Sequence, residues 1–64
     1  MTEKLLLTVS EVAEQLGLGK SMIYSLIASR EIESVRIGRA RRVPRDAVER
    51  FVEQLRTEDL TDDR

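Results

Sequence analysis

Apolar positions along the chain change their spacing as it proceeds, and each change marks an element. Val9, Val12, Ala13 and Leu16 stand at i, i+3, i+4 and i+7, the spacing of one face of an α-helix. Thr8 precedes them and Glu11 follows it by three residues, the pair in which a hydroxyl and a carboxylate cap a first turn reciprocally. Gly17 supplies a left-handed stop. The pattern predicts a helix over about 9–16. Leu5, Leu6 and Leu7, just ahead of it, are expected to pack onto the domain, with at least one buried.

Helical spacing resumes from Gly19 to Ser29. Met22, Ile23, Leu26 and Ile27 fall on one side, and Lys20, Ser21, Tyr24, Ser25 and Ala28 on the other. That second face carries a base, two hydroxyls, a phenol and a methyl group, with no carboxylate. Two helices joined by Gly17-Leu18-Gly19 form a helix-turn-helix. After Ile32 the period becomes two: Val35 and Ile37 alternate with Arg36, Gly38 to Ala40 form a turn, and Val43 lies on the returning strand. A hairpin over about 34–44 follows, with arginines on its open face and at its tip. Pro44 ends it and suits a helix start. Ala47, Val48, Phe51, Val52 and Leu55 then mark a third amphipathic helix, roughly 45–56. The remaining T-E-D-L-T-D-D-R has one apolar residue and four acids and is read as a disordered tail. The expected architecture is mostly α with a small β-hairpin, a winged helix-turn-helix over 1–56 followed by an acidic tail, 57–64.

Charge sharpens this picture. Arg36, Arg39, Arg41, Arg42 and Arg45 are five arginines in ten residues with no acid among them, in a chain whose net charge is −1. Residues 1–19 carry −2, residues 20–50 carry +4 and residues 51–64 carry −3. A positive middle between negative ends is what a polyanion would read. An exposed helix of about 10–12 Å diameter fits the DNA major groove. Arginines on a projecting hairpin neutralise phosphates or enter a narrow minor groove. The plainer alternatives are a solvated strand kept soluble by its arginines, a Tyr24 that packs against the hairpin, and a Lys20–Ser21 turn satisfied by water. For the acidic tail the choice is between solubilisation and docking to a partner.

Composition removes other classes. The chain has neither Cys nor His, which excludes disulfides, Cys/His zinc sites and Ser-His or Cys-His catalysis. No cofactor, metal or small-molecule ligand is expected. Glu11 with Glu14, and Asp46 with Glu49 and Glu53, share helices, but 64 residues offer little desolvation to raise a carboxyl pKa, so no enzyme is expected. No run approaches the roughly 20 apolar residues that span a bilayer, and the opening run is too short for a signal peptide. A soluble intracellular protein is the expectation.

Residues 7–27, L-T-V-S-E-V-A-E-Q-L-G-L-G-K-S-M-I-Y-S-L-I, together with 35–51, V-R-I-G-R-A-R-R-V-P-R-D-A-V-E-R-F, resemble the excisionase-type helix-turn-helix family, related to the winged DNA-binding domains of the MerR group. The resemblance covers about 50 residues with the elements in order. It implies double-stranded DNA as partner, Lys20, Ser21, Tyr24 and Ser25 in the recognition helix, and Arg36, Arg39, Arg41, Arg42 and Arg45 in the wing region. It also implies either an excisionase that bends attachment-site DNA and assists an integrase, with cooperative self-association on DNA, or a small transcription regulator of the same fold. In that family the position of Ser25 often holds arginine, that of Gly19 a serine or similar cap, and that of Arg41 an aromatic residue. These departures shift affinity from the recognition helix toward the wing. A reading from another class, a protein-interaction module whose basic hairpin grips an acidic partner, predicts that loss of Arg39 and Arg41 spares DNA affinity.

Overall fold

The computed structural model describes residues 4–61. Its elements run β1 (Leu6–Leu7), α1 (Val9–Leu16), α2 (Lys20–Ala28), β2 (Val35–Ile37), β3 (Ala40–Pro44) and α3 (Arg45–Thr61). The first helix starts where its cap dictates. Thr8 Oγ1 accepts from the Glu11 N–H at 3.0 Å, and Glu11 Oε1 accepts from the Thr8 N–H at 2.9 Å. It ends at Gly17, φ 70°, where the Leu18 N–H reaches Ala13 O at 2.9 Å and the Gly17 N–H reaches Glu14 O at 3.3 Å. That pair of bonds is the Schellman motif, which requires a left-handed residue.

Hydrogen bonds from Lys4 and from the Thr8 backbone hold the Glu11 carboxyl below its ordinary value. A depressed carboxyl contributes stability that is complete above the unfolded value and is lost as pH falls through the folded one. Glu11→Ala should therefore lower the melting temperature at neutral pH, because it removes the carboxylate that accepts from the Thr8 N–H and from Lys4. The gap from the parent should narrow as melting is measured at pH values below that of an ordinary carboxylate; a gap independent of pH would leave Glu11 out of the cap.

The core draws three residues each from α1 and α3 and one each from β1, α2, β3 and the segment before the hairpin: Leu7, Val9, Val12, Ala13, Ile23, Ile32, Val43, Ala47, Val48 and Phe51 are buried. Ile23 and Val12 seat α2 on α1, and Val43 joins the sheet to them. Burial of Leu7 meets the expectation for the leading leucines, while Leu5 is 74% exposed.

Two features depart from the sequence pattern. First, Leu6 and Leu7 form a third strand, so the sheet order is β1-β3-β2, with Leu6 opposite Pro44 and Leu7 opposite Val43. A two-residue strand is too short to show alternation, and only its docking on β3 creates it. Secondly, the third helix runs to Thr61, five residues past the end that the apolar spacing predicts, with residues 62–64 of the acidic tail outside the described residues. Apolar spacing reports only the buried face. Beyond it the helix is carried by local pairs, Arg56 with Glu53 at 3.9 Å and Thr57 Oγ1 donating to Glu53 O at 3.1 Å.

Candidate nucleic-acid interface

The second helix packs on α1 and leaves most of its circumference open. Lys20, Ser21, Tyr24, Ser25 and Ala28 are exposed, as the spacing predicts. Met22 is exposed as well, at 50%, instead of joining Ile23 inside. Its main packing partner is α1 and its covered stripe is narrow: Ile23 is fully buried, and Leu26 and Ile27 are half-buried. Gly19 opens the helix at φ −76°, ψ 158° without a side-chain cap, and no acid stands in the first turn. The leading N–H groups and Lys20 thus present positive charge at that end.

The hairpin pairs Val35 with Arg42, Arg36 with Arg41 and Ile37 with Ala40. Residues directly opposite in an antiparallel pair share a face. Arg36 and Arg41 therefore stand side by side on the face that carries Val43 and Leu7 inward. Their neighbour Arg42 points the other way, beside Val35 and Ile37, as a period of two demands. The arginines are thus divided between two faces and the tip, where Gly38 takes φ 61° and Arg39 is exposed. Arg41 Nη1 donates to Ser34 Oγ at 2.7 Å, and Arg42 Nη1 to the Arg41 carbonyl at 3.0 Å. Among the described residues, no carboxylate forms an ion pair with Arg36, Arg39, Arg41, Arg42 or Lys20.

Directly opposed like charges destabilise a strand pair by a few tenths of a kcal/mol or more, and here no acid offsets them. Glu33, three residues before Arg36 in the chain, is engaged elsewhere: its Oε1 accepts from Arg50 Nη2 at 2.9 Å, while Arg50 Nη1 reaches Asp46 at 2.7 Å. These exposed pairs contribute little stability, but they occupy a carboxylate at the edge of the basic face.

Recognition helix and hairpin share one open groove, bordered by Tyr24, Ile27 and Ala28 on one side and by Ser34 and Arg41 on the other. Tyr24 is 53% exposed there, so a partner could reach its phenol. Tyr24→Ala should accordingly leave the melting temperature within a few degrees of the parent while relaxing discrimination between DNA sequences; a large drop in melting temperature would return the ring to a packing role. Arg45 is not part of the hairpin. It is the first residue of α3, its N–H donates to Leu5 O at 2.8 Å, and its side chain borders a second depression with Lys4, Glu11, Glu14 and Glu49. Its grouping with the wing is corrected on that ground: the strand ends at Pro44, and the helical turn carries Arg45 to another part of the surface.

One further residue bears on this face through a backbone conformation that the sequence pattern does not announce. The second helix ends with the same Schellman bonds as the first, Glu31 N–H to Leu26 O at 2.9 Å and Arg30 N–H to Ile27 O at 3.0 Å. The left-handed position is Arg30, φ 68°, the one non-glycine residue with positive φ among the described residues. An L-residue there costs about 1 kcal/mol.

Two short helices joined by a tight turn, a projecting basic hairpin and a supporting helix define a winged helix-turn-helix protein. A helix-turn-helix domain family matches residues 6–56. A protein of Saccharopolyspora erythraea called a probable excisionase is 54% identical over 55 residues, which is 86% of this chain and 56% of that protein. An excisionase of Streptomyces ambofaciens is 50% identical over 48 residues, 75% of this chain and 77% of that protein. The chain belongs to the excisionase-type helix-turn-helix family. It spans little more than half the length of the Saccharopolyspora relative. No solved structure matches it at a significant level.

Proposed function

We propose that this protein is a DNA-binding architectural factor, an excisionase that helps an integrase remove a mobile element. The carrying observation is the opposed pair Arg36 and Arg41, which no described carboxylate neutralises, beside an exposed helix that bears no acid. A fold that tolerates such repulsion presents it to a polyanion. The names of the two relatives support the same reading. In this account Lys20, Ser21, Tyr24 and Ser25 lie along base edges and phosphates of the major groove. Arg36, Arg39 and Arg41 grip the adjacent backbone or minor groove, and Arg42 holds the outer side of the wing. The protein then acts by binding and bending, with no bond made or broken by its own side chains. Neighbouring protomers meet through opposite charge, an acidic terminus of one against the basic middle of the next.

Neutralising about five to seven phosphates gives a slope of log affinity against log salt of about −4.5 to −6. Fluorescence anisotropy on nonspecific duplex measures it, and a slope shallower than about −2 removes the wing as main contact. Stimulation of excision by the neighbouring integrase in a purified reaction tests the recombination role. Promoter binding without stimulation would replace it with transcription control.

A further inference from the structure

Both helices of the helix-turn-helix end in one backbone motif, yet the residue at its left-handed position differs. Gly17 occupies it at φ 70° after α1, and Arg30 at φ 68° after α2. An added Cβ at Gly17 meets nothing within 4 Å, so the glycine there is explained by its backbone and not by crowding; Arg30 carries the intrinsic penalty of a left-handed L-residue. Glycine would relieve that penalty at position 30 as it does at 17. The arginine is therefore held at a cost in stability, and such outliers gather where a surface binds something.

Its surroundings point to what that is. Arg30 is exposed and borders the groove between recognition helix and wing together with Tyr24, Ser34 and Arg41. Glu33 lines that groove as well, and on its other side Arg30 borders a depression containing Glu31, Glu33 and Glu53. It forms no ion pair with any of them among the described residues, and Glu33 is held instead by Arg50. An unpaired guanidinium thus stands at the C-terminal end of α2, across the groove from the guanidinium of Arg41.

We infer that Arg30 is a further DNA-contacting residue: with Arg41 it straddles the sugar–phosphate strand that passes between the groove holding α2 and the groove holding the wing. The inference rests on the DNA-binding reading and adds to it a contact outside both the recognition face and the hairpin. A guanidinium is suited to the task, since its planar fork binds phosphate oxygens in pairs. The left-handed backbone sets where that fork starts, because the chain reverses there and directs the side chain off the helix axis.

Arg30→Gly and Arg30→Asn test it, since glycine and asparagine both accept a left-handed backbone and neither carries charge. Both variants should bind duplex DNA about tenfold more weakly than the parent at ~0.15 M salt, with a salt slope shallower by about one. Arg30→Gly should melt no lower than the parent. Arg41→Ala serves as the positive control on the same duplex. If both Arg30 variants bind like the parent while Arg41→Ala binds weakly, the inference is overturned and the DNA-binding reading stands. Weaker binding that comes with lower melting temperature in both variants would make Arg30 a structural residue and overturn it as well. If the parent itself shows no salt-dependent duplex binding, both fall together.

Discussion

A chain carrying Arg36→Ala, Arg39→Ala and Arg41→Ala together is expected to fold like the parent and lose roughly a hundredfold in affinity for duplex DNA, at about 1 kcal/mol for each lost phosphate contact. The salt slope should fall by close to three, at about 0.9 for each phosphate released. None of the three side chains is buried, and none supplies a carboxylate with a partner among the described residues. Removing them deletes no core contact. It also removes the repulsion between Arg36 and Arg41 across β2 and β3, so the variant should melt at the parent's temperature or slightly above. Affinity should drop alike on specific and nonspecific duplexes, because phosphate contacts position a protein without reading sequence. Anisotropy titrations at several salt concentrations, paired with a melting scan, check both halves. Unchanged affinity with loss of binding to an acidic protein partner would instead identify the hairpin as a protein-docking element.

The opposite result, loss of fold, is expected from Ile23→Ala. Ile23 is 0% exposed and is the only fully covered side chain of α2. Truncating a buried isoleucine costs about 2–5 kcal/mol through lost transfer energy and the cavity left behind. A domain of this size is expected to have only about 3–5 kcal/mol to lose. The variant should therefore be largely unfolded at room temperature, with helical circular dichroism and DNA binding lost together. Ile23→Val, at about 0.5–1.5 kcal/mol, should keep the fold and the affinity while melting earlier. Should Ile23→Ala melt within a few degrees of the parent, α2 would be held by something other than its seat on α1.

The two variants separate what the recognition helix needs from what the wing provides. The helix is positioned by buried Ile23 with Leu26 and Ile27 packed beside it, so its outer face is free to vary chemically. The wing is positioned by pairing of β3 with both neighbours, so its arginines can crowd without unfolding the sheet. Arg41 shows the economy of this arrangement: it lies in register with Arg36, reaches back to Ser34, and borders the groove that Tyr24 lines from the helix side.

Much of this was legible in the residues alone. The capping pair Thr8 and Glu11, the stripe from Val9 to Leu16, the stop at Gly17 and the change of period after Ile32 are local signals, set by neighbours within four positions. Local hydrogen bonds and steric preferences fix such elements, so sequence determined helix, turn, helix and hairpin, along with the acid-free character of the basic segment. Tertiary structure alone decided the rest. Leu6 and Leu7 became a strand because β3 offered them partners. Met22 stayed outside because α2 packs along a narrow stripe, chiefly on α1. Arg45 left the wing because the chain turns into α3 at that residue. Arg30 acquired its place opposite Arg41, in a backbone conformation that no composition or spacing announces. These outcomes depend on which surfaces meet across the chain, and that is settled by packing over distances that a periodic pattern does not encode.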